Sequence, residues 1–184
     1  TAQFHSYNGF SGGSTKLCVP RIVKDFYGYQ GGLQVQNVGT AATTVTAKFY
    51  FSGVEYTVTS PSLGPGQPWF LYMGSPPPEL AGVVDDGSLV LEATQPIVAT
   101  VNEDNRSAGL GSTFNAFLDT EPTTTCLLPQ ILAEYYGFSG GFQVMNVGTS
   151  TANLTATFSM QGRSDVTIVQ TLGPNESWSV FAPN

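Results

Sequence analysis

Charge is the scarcest property of this sequence. Charged residues make up 10% of its 184 positions, against roughly 25% in an ordinary soluble domain. The six Lys and Arg residues are scattered, and the net charge is −7. A nucleic-acid or anionic-membrane partner needs a basic patch or a basic helix, and none is present. No run of about 18 apolar residues occurs, so no segment reads as a membrane insertion. Histidine occurs once, as His5, and cysteine twice. A Ser-His-Asp arrangement would have to draw its base from the extreme N-terminus. One His with two distant Cys does not make a zinc site. Neither GxGxxG nor GxxxxGK[ST] is found, so no phosphate cradle is expected. The expectation is a chain with no catalytic residues, no metal and no cofactor, that is, not an enzyme.

What the sequence has is Thr, Ser, Asn and Gln for a polar surface, with 21 Gly and 12 Pro between short apolar runs. That is the composition of an all-β fold. It also has an internal repeat. Phe26–Thr40 (FYGYQGGLQVQNVGT) returns as Tyr135–Thr149 (YYGFSGGFQVMNVGT) without a gap, and Leu63-Gly64-Pro65 returns as Leu172-Gly173-Pro174. Val45, Ala47, Phe49 and Phe51 alternate with polar or amphipathic residues, and Leu154, Ala156, Phe158 and Met160 repeat the alternation. A period of two marks a half-buried antiparallel strand. Trp69 with Leu71, and Trp178 with Val180, supply a later strand in each copy. The glycine of each NVGT is expected to turn the chain at positive φ. Tyr56 and Val58 do not keep the parity of Val166 and Ile168, which calls for a bulge or a loop of different length.

Beyond a Pro-rich loop at Ser75–Pro78, two strands are expected at Ser88–Ala93 and Ile97–Val101, broken at Gln95-Pro96 because proline cannot donate to a ladder. A further strand is expected at Ser112–Leu118. Residues 18–120 then form a complete sandwich of about seven strands, the size of an immunoglobulin-like domain. Residues 121–184 form a second sandwich, incomplete because nothing after Val180 corresponds to Gly87–Leu118. Residues 1–17 hold an N-terminal strand, Gln3–Phe10, and a linker; Tyr7-Asn8-Gly9-Phe10 resembles Phe114-Asn115-Ala116-Phe117. The chain reads as a processed mature protein or a piece of a longer array. Three arrangements stay open: strand exchange between copies, an excised array segment, and a self-contained monomer. Under strand exchange, Phe4, Tyr7 and Phe10 would dock beside Phe158, Trp178, Val180 and Phe181 of another copy, so the partner would be the chain itself, joined head to tail.

The pattern PxI…YYGxxGGxQVxNVGT…xTAxF…LGPG…W, followed by GSLVLEATQPIVATVNE, resembles the tandem immunoglobulin-like (CARDB-like) repeats of bacterial and archaeal secreted surface proteins. The resemblance implies an extracellular stalk, sheath, filament or adhesion role and carries no catalytic residues. The alternative function is an adhesion module that binds carbohydrate, such as surface glycans, or protein. Cys18 and Cys126 stand before Pro20 and Pro129 and are candidates for a disulfide between subunits; free thiols explain them equally. Asn105, Asn153 and Asn175 open glycosylation triplets. Asp85-Asp86 and Glu103-Asp104 read as loop carboxylates, either solvated or gathered around calcium. The clusters Phe26, Tyr27, Tyr29 and Tyr135, Tyr136, Phe138 suit either a junction plug or a glycan platform.

Overall fold

A computed structural model describes residues 6–137 and 139–181. The chain is all-β and almost wholly antiparallel, with one short 3-10 turn at Pro78–Leu80 among the described residues. No helix of these residues is long and apolar enough to cross a membrane. Two compact units divide the chain, Thr1–Pro122 and Thr123–Asn184.

Unit 1 contains β1 (Ser14–Lys24), β2 (Gln30–Asn37), β3 (Val45–Phe51), β4 (Val54–Thr59), β5 (Pro68–Tyr72), β6 (Asp85–Asn105), β7 (Leu110–Asn115) and β8 (Phe117–Leu118). They join into one eight-stranded sheet through β6. The two strands expected on either side of Gln95-Pro96 are one 21-residue strand that changes partners there. Its first half lies between β1 and β3, with Leu89 opposite Phe49 and Val19. Its second half lies between β2 and β7, with Val101 opposite Leu33 and Phe114. Proline lacks the N–H that a continuous ladder would require, so the exchange of partners falls where the ladder is weakest. The Pro96 carbonyl instead accepts from the Val38 N–H at 2.9 Å.

Alternation in the sequence becomes burial in β3, where Val45, Ala47, Phe49 and Phe51 all face one core. Leu33 and Val35 of β2 join the same cluster as Leu89, Leu91, Ile97 and Val101 of β6. Both halves of β6 therefore serve a single core. Its two ends are tied by Arg21 of β1, whose Nη1 lies 2.7 Å from Asp86 Oδ2 and whose Nε donates to Glu103 Oε2 at 3.1 Å. β1 begins at Ser14, so it runs across the boundary expected at residue 18.

Unit 2 contains β9 (Gly141–Met145), β10 (Ala152–Phe158), β11 (Val166–Leu172) and β12 (Ser177–Phe181). These make two separate antiparallel pairs, β10 with β11 and β9 with β12. They reproduce the β3–β4 and β2–β5 pairs of unit 1. The parity difference between Tyr56 and Val166 is a loop difference: β3 turns through Ser52-Gly53 at φ 47° and 77°, whereas β10 ends at Phe158, opposite Val166.

Candidate functional site

In unit 1 the strand that closes the β2 and β3 ladders is β6. Unit 2 has no counterpart of it among the described residues. Among the described residues β9 pairs only with β12, and β10 only with β11, so each keeps one edge without a ladder partner there. Burial follows. The row Val45, Ala47, Phe49 in β3 is wholly buried, while the corresponding Leu154 and Ala156 of β10 are half-exposed. Leu33 and Val35 are buried, and their counterparts Phe142 and Val144 are half-exposed. Phe158, Leu172 and Val180 are buried in a small core of unit 2, where Phe142 meets Phe158 at 6.3 Å between centroids.

The residues expected to assemble thus fall into different settings. Phe158 and Val180 are buried, Trp178 is half-buried opposite Val144, and the backbone of Phe181 pairs with Gly141. Tyr7 and Phe10 are exposed, and residues 6–10 form no strand in this chain. The Asn115 side chain donates to the Asn8 carbonyl at 2.9 Å. Phe4 and His5 lie outside the described residues.

Both aromatic clusters sit on the same kind of turn. In Phe26-Tyr27-Gly28-Tyr29 the Tyr29 N–H donates to the Phe26 carbonyl at 2.9 Å, with φ of 48° at Tyr27 and 79° at Gly28. Positive φ at both central positions is the primed type I hairpin turn, which favours Asn-Gly or Asp-Gly. Tyr136 and Gly137 repeat these angles at 51° and 78°, and Phe138 lies outside the described residues. The ring of Tyr27 meets that of Phe26 edge-on at 4.6 Å, and Tyr136 meets Tyr135 in the same way. Tyr27 and Tyr136 are each 84% exposed.

NVGT works through its asparagine more than its glycine. Asn37 is fully buried, and its Nδ2 donates to the carbonyls of Ala41 (2.8 Å) and Leu63 (2.9 Å) while its Oδ1 accepts from the Gly39 N–H. Asn146 does the same with Ser150, Leu172 and Gly148. Each asparagine holds the loop after its strand against the start of the LGP turn. Neither Gly39 nor Gly148 has positive φ. Gly39 is needed for close approach instead, since a Cβ would come within 2.7 Å of the Gln95 side chain. The sequence signal was the shared NVGT itself, with Leu63 and Leu172 at the same spacing.

The carboxylates expected in loops lie at the two ends of β6, and three of the four are held by protein cations. Asp86 and Glu103 share Arg21, Asp104 pairs with Arg106 at 3.1 Å, and Asp85 accepts from Ser52. Burial pushes the Glu103 carboxyl above its ordinary value, and the Arg21 charge opposes the shift only in part. No group of three or more metal-ligating side chains occurs among the described residues.

Cys18 is buried in β1 opposite Val90 and Phe117, and Cys126 is exposed; both thiols are free. Burial raises the Cys18 thiol above its usual range. The repeat offset of Pro20 to Pro129 sets Cys126 against Leu17, and Cys18 against Leu127, so the two cysteines are not equivalent. Asn105 is buried, donating to the Tyr27 carbonyl and accepting from Ser107 and Ala108, whereas a glycosylation acceptor has to be exposed. Asn153 is exposed on β10, and Asn175 is half-exposed at φ 63°.

No protein-family model matches the chain, and no curated protein does. A crystal structure of Thermotoga maritima 1070 is similar to 58% of this chain and 96% of its own length, at 14% identity and a TM-score of 0.46.

Proposed function

We propose that the chain is a non-enzymatic structural subunit of an extracellular filament or surface layer. Unit 1 is read as a complete immunoglobulin-like β-sandwich and unit 2 as an incomplete one that accepts a strand from a neighbour. The observation that carries this reading is the pair of open ladder edges on β9 and β10, above apolar rows that unit 1 buries in full. Open edges above apolar rows favour addition of a further strand.

The donor in this reading is the N-terminal segment Gln3–Phe10, whose residues 6–10 carry exposed aromatics and no ladder of their own. Its place is not that of β7, although Tyr7–Phe10 resembles Phe114–Phe117, because β7 pairs only with β6 and unit 2 offers no such strand among the described residues. The segment instead takes the part of β6 that runs along β2, where Gln30–Asn37 faces Ile97–Asp104. Gln3–Phe10 has the same length as that ladder. A contact of this kind joins two different surfaces, so repetition gives an open filament or a ring.

Electron microscopy and sedimentation of the full chain and of a variant lacking residues 1–10 test the reading. Polymers are expected from the full chain and monomers from the deletion variant. A full chain that stays monomeric, or polymers that persist unchanged after deletion, would overturn it.

A further inference from the structure

The outer face of unit 1 carries a feature that assembly through unit 2 does not use. β2, β5 and the second half of β6 present their outward residues as two ranks across the sheet. In one rank Tyr72, Gly32 and Asn102 stand side by side; in the next, Phe70, Gln34 and Thr100. Gly32 has no side chain, so the first rank opens a trough of about 260 Å³ between Tyr72 and Asn102. Neighbouring strands are about 4.8 Å apart, which sets these two side chains roughly 10 Å from one another. That gap admits one six-membered sugar ring lying across Gly32.

The walls have the chemistry such a ring needs. Phe70 is 64% exposed and Tyr72 is also exposed, on an edge strand where bare aromatic surface is a liability unless something covers it. Across the trough, Gln34 Oε1 accepts from Thr100 at 3.4 Å and Asn102 Oδ1 accepts from Thr113 at 2.8 Å. Those two bonds occupy the amide oxygens and leave both amide nitrogens as donors without a partner among the described residues. Arg106 lies over the Tyr72 ring at 5.8 Å, and its charge is spent on Asp104. The trough thus combines apolar ring faces, pre-oriented neutral donors and no free charge.

Unit 2 keeps Gly141, Gln143 and Phe181 at the places of Gly32, Gln34 and Tyr72, but does without the exposed ring of Phe70. At the repeat offset Phe70 becomes Ser179, whose hydroxyl donates to Gln143, the counterpart of Gln34, at 2.6 Å. A small polar residue therefore fills the same outward position without exposing an aromatic ring. Gly32 is likewise free of backbone demand: its φ is not positive, and an added Cβ would meet only atoms at 3.9 Å or beyond. An outward glycine and an exposed phenylalanine, neither required by packing, lie beside each other in one trough.

The geometry points to a binding site for a neutral saccharide on this face. The apolar C–H face of the sugar stacks on Phe70 and Tyr72, and its hydroxyls accept from Gln34 and Asn102. The adhesion reading of the sequence placed glycans on the Tyr27 and Tyr136 clusters; those turns are convex tips, whereas this trough has both a floor and donors.

Isothermal titration calorimetry of the full chain with cellohexaose, chitohexaose, maltohexaose and mannohexaose tests the site. Binding of at least one of the four is expected, weakened at least about tenfold by Phe70→Ser and by Gly32→Val. The first variant installs the residue that unit 2 has at this position, and the second fills the trough with a residue suited to strands. Thermal melting should show both still folded, and Asn102→Ala, which removes a donor without touching the core, should weaken binding as well. No binding by any sugar, or binding that all three variants leave intact, would overturn the proposal. A change in sedimentation on Phe70→Ser without sugar binding would also overturn it, assigning the face to contact between copies.

Discussion

Tyr27 occupies a backbone position that its own chemistry opposes. A left-handed residue with a β-carbon costs on the order of 1 kcal/mol relative to the right-handed region, and Asn tolerates the position better through its short polar side chain. Its ring returns little within the chain, having one edge-on contact with Phe26 and standing otherwise in solvent. Tyr27→Asn should therefore stabilise unit 1 by about 0.5–1 kcal/mol, read as a higher urea midpoint with an unchanged slope. A midpoint that falls would mean the Phe26–Tyr27 contact outweighs the backbone cost. The aromatic cluster and its repetition were legible in the sequence, but the sign of φ was not. Tyr is an uncommon occupant of this turn, so its presence pointed away from the conformation it adopts. The reverse held for Gly39, where glycine suggested positive φ and the cause is the approach of Gln95 and Pro96.

At the scale of the element, β6 organises unit 1. Its alternation around Leu89, Leu91, Ile97, Ala99 and Val101 could be read directly, whereas the break expected at Gln95-Pro96 is an exchange of partners within one strand. That both halves are one strand serving two sets of partners could not be read, because partner choice depends on register with β1, β2, β3 and β7 across long stretches of chain. For the same reason Asp85, Asp86, Glu103 and Asp104 looked like loop residues. Arg21, the cation that Asp86 and Glu103 share, lies far from both in sequence. Closure of β6 rests partly on that arginine. Side-chain exposures of 21% for Arg21, 16% for Asp86 and 6% for Glu103 place the cluster largely out of water. Removing one member of such a cluster leaves an uncompensated charge, and Arg21→Ala should cost about 3–5 kcal/mol near neutral pH. Because the folded-state pKa of Glu103 is raised, the folded form binds its proton more readily than the unfolded form. Its contribution is therefore fully present below the ordinary glutamate pKa and declines as pH rises through the folded value. Glu103→Gln should flatten that decline, and the cost of Arg21→Ala should shrink in acid, where a protonated Glu103 no longer needs the arginine. Urea unfolding of the three proteins across the acidic range checks both, and a cost of Arg21→Ala that does not change with pH would contradict them.

For the whole molecule, the duplication was legible in sequence, and the contrast between its copies becomes physical in their burial. Unit 1 closes its core with β6, and unit 2 keeps two pairs of strands with half-exposed apolar rows. Small domains with a limited core are marginally stable without further support. Phe158, Leu172 and Val180 are a short list beside the core of unit 1. The backbone bonds of β9–β12 also have fewer layers between them and water, which lowers the free energy of local opening. Hydrogen exchange of the dispersed chain should separate the units. Amides of β9, β10, β11 and β12 should show protection at least about a hundredfold lower than those of β2, β3 and β6. Within unit 2 the first to exchange should be the N–H groups on the open edges of β9 and β10, ahead of those facing β12 and β11. In polymers formed by strand addition the edge amides of β9 should become the most strongly slowed of unit 2, because the donated strand bonds them directly. Equal protection in the two units, or edge amides no faster than inner ones in the dispersed chain, would show that unit 2 is closed by other means.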